Sequence, residues 1–133
     1  MKRLLAGAAL AAIVLVVVTC GDDGPVGPVA GTLSVRLTSP NTGADQAILL
    51  TVTGPTALTS ATAGSGLRLF QPPLGGPETR FALVGRVSTG VTILTIGVED
   101  VGRVNEYSAA IEGVSRADYQ LRSLTGYELT VGR

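Results

Sequence analysis

From Thr32 onward the chain alternates apolar and polar residues in short runs, each broken at Gly, Pro, Asn or Ser. A period of two puts alternate side chains on opposite faces of a strand. "TLSVRL" sets Leu33, Val35 and Leu37 against Thr32, Ser34 and Arg36. "AILLTVTGP" sets Ile48, Leu50 and Val52 on one face, and Leu49 on the other predicts partial cover on both sides. "ALTSATAGSG" predicts a short strand running into a turn, and "LRLFQ" another strand, stopped by "PPLGGP". "TRFALVGRV" and "VTILTIGV" flank Ser88, Thr89 and Gly90. A connection of that length ending in glycine predicts a hairpin, with Gly90 in the left-handed conformation that other residues resist. Ile93, Leu94, Ile96 and Val98 are the residues expected deepest. A loop, "EDVGRVNE", then leads into "YSAAIEGV", and the chain closes on "YELTV", with Tyr127, Leu129 and Val131 sharing a face. Between these two, "SRADYQLR" is expected to form a single helical turn capped by Ser115. No sustained helical periodicity follows the N-terminal segment. About seven to nine short strands separated by turn residues predict an all-β fold, an antiparallel β-sandwich.

The N-terminus follows another pattern. Lys2 and Arg3 precede an apolar run from Leu4 to Val18, which ends in small residues and Cys20, the single cysteine of the chain. A basic start, an apolar stretch and a small-residue exit are the pattern of a secretory signal, and the run is shorter than the roughly 20 residues a spanning helix needs. "VVTC", Val17 to Cys20, resembles the lipobox of bacterial lipoproteins, with Thr19 where that family usually places Gly, Ala or Ser. The resemblance covers only the N-terminal segment. It implies that a diacylglycerol is attached to Cys20, that residues 1–19 are removed as a signal helix, and that the protein is exported and lipid-anchored to the cell envelope, with the leaflet left open. "GDDGPVGPVAG", rich in Gly and Pro, then reads as a tether over residues 20–31, ahead of a sandwich domain over 32–133.

The whole chain carries ten basic and ten acidic residues. Loss of Lys2 and Arg3 with a signal leaves a slightly acidic body whose basic residues are all arginine. With no basic run, it offers no electrostatic footprint for nucleic acid.

The chemistry is bounded by missing residue types. The sequence has no His and no Trp, no Lys beyond position 2, and no Cys beyond the one the lipid would occupy. Nucleophilic triads, zinc sites built on His and Cys, and Schiff-base lysines therefore cannot be assembled. Carboxylates remain, at Glu99, Asp100, Glu106, Glu112, Asp118 and Glu128, and their spacing singles out no catalytic pair of the glycosidase kind. No enzyme activity and no cofactor are expected. Glu99, Asp100, Asn105 and Glu106 gather oxygen donors in one loop and are the candidates for calcium, although the spacing is not that of an EF-hand. Next to Phe70, Pro72 and Pro73 make a stiff loop expected to present Leu74 to a partner at low entropic cost, these four being the candidate partner-binding residues.

The order of an apolar strand ending in Gly-Pro, then "LTSATAGSG", "TRFALVGRVSTG", "VTILTIGV" and "YELTV" resembles cohesin-type and related jelly-roll sandwiches of bacteria. That resemblance implies a nine-strand sandwich built to bind a partner and carries no catalytic residue. The sequence thus points to an envelope lipoprotein whose sandwich binds another envelope or extracellular protein or plays a structural part. A carbohydrate-binding module and a carboxylate hydrolase are the alternatives.

Overall fold

The computed structural model describes residues 27–41 and 43–133. The expected signal helix, Cys20 and most of the tether lie outside the described residues.

Among the described residues eight strands form: β1 (Gly31–Thr38), β2 (Asp45–Thr53), β3 (Ser60–Ala63), β4 (Arg68–Phe70), β5 (Glu78–Val87), β6 (Thr92–Val98), β7 (Ser108–Arg116) and β8 (Glu128–Gly132). They make two four-stranded antiparallel sheets, ordered β3-β6-β1-β8 and β4-β5-β2-β7. The period-two faces come together between the sheets. Leu33, Val35 and Leu37 of β1 meet Ile48, Leu50 and Val52 of β2, Phe81 and Leu83 of β5, and Ile93, Leu94, Ile96 and Val98 of β6, all essentially inaccessible. Apolar burial, at about 25 cal/mol per Å2, is the driving term for folding of such a core. The four residues expected deepest are all fully buried.

Tyr107, just before β7, closes one end of the core, and its ring lies against Gly54. A Cβ on Gly54 would fall 2.3 Å from that ring, so only glycine lets the aromatic seat there.

Three local expectations are corrected. Ser88-Thr89-Gly90 does not close a hairpin, because β5 pairs with β2 and β4 while β6 pairs with β1 and β3. The segment crosses between the sheets. Gly90 does take a positive φ of 80°, and its N–H donates to Leu37 O at 2.7 Å. Three-residue turn chemistry fixes a chain reversal but leaves open whether the return strand joins the same sheet. Second, residues 115–122 form no helical turn; they make a tight hairpin, described below. Third, the loop at 99–106 contains a 3-10 helix, Val101–Glu106, capped by Asp100. In addition, the outer face of β2 is uncovered at its middle, where Leu49 is exposed.

Candidate functional site

β1 enters the domain at Gly31 and runs to Thr38, about 25 Å at strand spacing, so the sandwich has an inlet end and a far end. The inlet end carries Val29, the 3-10 helix and the β4–β5 loop. At the far end lie the β1–β2 turn, the crossover at 88–91, the end of β7 and the segment leading to β8.

The far end is organised around Asp45, the first residue of β2, which is fully buried. Its carboxylate accepts from the Arg122 Nε–H, from Tyr127 Oη at 2.7 Å and from Ser39 Oγ at 3.2 Å. Asn41 completes the cluster: its N–H donates to Ser39 Oγ at 2.9 Å and its amide to Tyr127 Oη at 3.0 Å. Arg122 Nη2 also donates to Ala44 O at 3.4 Å. A buried carboxylate is tolerable when it is paired and hydrogen-bonded, and both Asp45 oxygens are. The network joins β2 to the segment before β8 and fixes the Arg122 guanidinium in one place.

Beside it, β7 turns back on itself. Arg116 N–H donates to Gln120 O at 2.9 Å, Arg122 N–H to Val114 O at 2.8 Å, and Ser115 bridges Leu121. This is a three-residue hairpin over Ala117, Asp118 and Tyr119, the loop type whose third position is left-handed and usually glycine. Here that position is Tyr119, with φ of 65°. Its side chain is 91% exposed. Asp118 pairs with Arg116 Nη2 at 3.0 Å and accepts from Gln120 N–H at 3.2 Å.

Two surface depressions flank this hairpin and share Arg116. One, of about 310 Å3, is lined by Asn41, Arg116, Leu121, Arg122, Ser123 and Thr125. The other, of about 270 Å3, lies against Ala47, Val84, Ser115, Ala117 and Tyr119. The first brings two guanidinium groups together beside Leu121, and the second is mostly apolar. Val84, Val91, Tyr119, Leu121 and Leu124 are all exposed in this half of the molecule, Leu49 and Phe70 at the middle of their sheet, and Val29 at the inlet.

Charge is divided the same way. Among the described residues the far half holds Arg36, Arg68, Arg86, Arg116 and Arg122, against three carboxylates, Asp45, Asp118 and Glu128. The inlet half reverses the balance, with Glu78, Glu99, Asp100, Glu106 and Glu112 against three arginines.

The residues singled out from the sequence lie elsewhere. Phe70 ends β4, paired with Ala82, and Pro72, Pro73 and Leu74 follow in the β4–β5 connection that leads to the inlet end, where Gly54 N–H donates to Pro77 O at 2.9 Å. Phe70 is half-exposed beneath the Arg68 guanidinium, 5.5 Å from the ring centroid, and Pro72 and Pro73 are exposed. Leu74 turns inward and packs against the core. In the 99–106 segment Asp100 Oδ1 accepts from the N–H groups of Gly102, at 2.9 Å, and Val29, at 3.3 Å. Glu106 takes both arms of Arg103, at 2.9 and 2.7 Å. That hydrogen-bonded pair lowers the Glu106 pKa and raises that of Arg103. Glu99 and Asn105 are in the same segment, and among the described residues no three His, Cys, Asp or Glu side chains gather as a metal site. Glu112, on β7, pairs with Arg80 at 3.1 Å and accepts from Thr51 Oγ1.

Sequence reasoning missed Asp45, Arg122 and Tyr119 as a group. "SPNTGAD" reads as a turn and hides that its last residue is buried; a tyrosine two residues after Ala117, in place of glycine, was the one available signal. No family model, no curated protein and no solved structure matches this chain.

Proposed function

We propose that the protein is an exported lipoprotein, anchored through an acylated Cys20, whose sandwich is a non-catalytic module that binds another protein with its far end. The observation that carries this reading is the polarity of the domain. The segment bearing Cys20 joins one end of β1, and the exposed large apolar side chains Val91, Tyr119, Leu121 and Leu124 gather at the other. A surface held away from the bilayer is the one a second envelope or extracellular protein can reach. Exposed apolar groups bordered by polar ones are a common composition for such a contact. A single acyl chain holds a protein only marginally, whereas the two or three of a lipoprotein hold it firmly.

The test uses the full chain expressed in a bacterial host fed an alkyne-bearing fatty acid, followed by crosslinking and recovery. The parent should label, sediment with membranes and carry one dominant crosslinked protein; Cys20→Ser should lose label and sedimentation. A parent that stays unlabelled removes the anchor. A labelled parent with no crosslinked protein removes the binding role and turns attention to envelope glycans.

A further inference from the structure

The far end carries a more specific assignment, which rests on the protein-binding reading above. We propose that it recognises an acidic polypeptide segment, one carboxylate of which enters the Arg116–Arg122 depression while a neighbouring apolar side chain lies against Ala47, Val84 and Tyr119.

Three observations converge on this chemistry. The first is donor supply. Each guanidinium has five N–H groups. Arg116 uses one arm on Asp118, and Arg122 uses Nε on Asp45 and Nη2 on Ala44 O. The donors left over border a depression whose other polar walls are Asn41, Ser123 and Thr125. Because the buried Asp45 already holds Arg122, this donor needs no ordering when a ligand arrives, which removes part of the entropic cost of binding. The second is the adjoining apolar cleft, which shares Arg116 with the first depression. A ligand must therefore present a negative and an apolar group close together, as successive residues of a peptide do. The third is Tyr119. A bulky residue in the left-handed region is strained, and here the side chain gains almost no burial in exchange. Contact with a partner supplies what the isolated domain does not. Tyrosine also offers a large contact area for few rotatable bonds.

The charge pattern selects among anions. The far half has an excess of arginine, but Asp118 and Glu128 interrupt it. A continuous polyanion would meet these acids along its length; a single carboxylate flanked by apolar residues avoids them. The acidic inlet half would repel the same ligand, so binding is confined to one end.

The experiment presents a displayed library of random short peptides to the full chain in detergent micelles, in parallel with the variants Tyr119→Gly and Arg116→Gln. The parent should enrich peptides with Asp or Glu beside Leu, Phe or Tyr. A synthetic copy of the best should bind more weakly as salt rises, and each variant should weaken it by about tenfold, as loss of an aromatic or charged anchor does. Tyr119→Gly should meanwhile melt at or above the parent temperature, which separates lost contact from lost fold. Enrichment of neutral or basic peptides, or equal binding by parent and variants, overturns the proposal. So does a Tyr119-dependent dimer in sedimentation with no peptide enriched, which would assign the cleft to a second copy. If the protein crosslinked in cells is captured equally by both variants, the acidic-segment assignment falls and the binding role survives; if the parent captures none, the binding role itself falls.

Discussion

At the residue scale, Asp45 and Tyr119 make opposite contributions to stability. Asp45 is a buried charge whose partners must all be present. Replacing it by Ala leaves the Arg122 guanidinium, itself mostly covered, without its counter-ion, and should cost about 3–5 kcal/mol in urea unfolding. Tyr127→Phe removes one donor to the same carboxylate and should cost about 2 kcal/mol. The two losses should fall well short of additive in the double variant, since they act on one network. Tyr119 runs the other way. Glycine relieves a left-handed strain of about 1–2 kcal/mol while adding a smaller backbone entropy cost, so Tyr119→Gly should raise the melting temperature, by up to roughly 4–8 °C for each kcal/mol gained in a domain of this size. The exposed Arg103–Glu106 pair sets a smaller, pH-dependent effect. Because folding lowers the Glu106 pKa from its ordinary 4.5, its contribution is present above that value and is lost as pH falls through the folded pKa. Any melting-temperature difference between parent and Glu106→Gln should therefore be seen at neutral pH and shrink below pH 4.5.

At the element scale, strand identity was legible because burial on one side of a sheet writes itself into the sequence every second residue. Leu33, Val35 and Leu37, or Ile48, Leu50 and Val52, could face only a core. Ile96, paired with Leu33 of β1 and Ala61 of β3, sits at the centre of its sheet. An aspartate there would bury an unpaired charge at a cost comparable to the whole stability of a small domain, so Ile96→Asp should give a chain without a cooperative melting transition by circular dichroism. Strand partnership was not legible in the same way. Ser88-Thr89-Gly90, within the crossover at 88–91, and Ala117-Asp118-Tyr119 both reverse the chain with a left-handed third residue, and only the second closes on itself. The glycine suggested a hairpin at the wrong one, and the tyrosine concealed the right one. What decides between them is the pairing of β5 with β2 and of β6 with β1, contacts made far along the chain.

At the scale of the whole molecule, the fold class was legible and the candidate surface was not. Alternation, turn residues and the absence of helical periodicity were enough for an antiparallel sandwich. The far-end surface assembles Asn41, Val84, Arg116 and Arg122, residues from four separate stretches with no shared motif. Only the register of the sheets brings them together. The candidates chosen from local composition, the proline-rich loop and the acidic loop, stand at the opposite end for the same reason: composition marks a segment as a loop without saying to which end the strands deliver it.

Among the described strands only β4 and β5 are both consecutive and paired; the others alternate between the two sheets along the chain, and β8 zips against β1. Local pieces of the chain therefore have little to fold onto, and neither sheet can be finished until distant segments meet, an arrangement that makes folding slow. During synthesis, a ribosome-bound chain lacking residues 128–132 has no partner for the outer edge of β1. For a protein exported as proposed, delay is useful, because a translocation channel accepts an unfolded thread and rejects a finished sandwich. Refolding from urea should accordingly take milliseconds to seconds, not microseconds, and a microsecond phase in stopped or continuous flow that recovers the full native signal would contradict it.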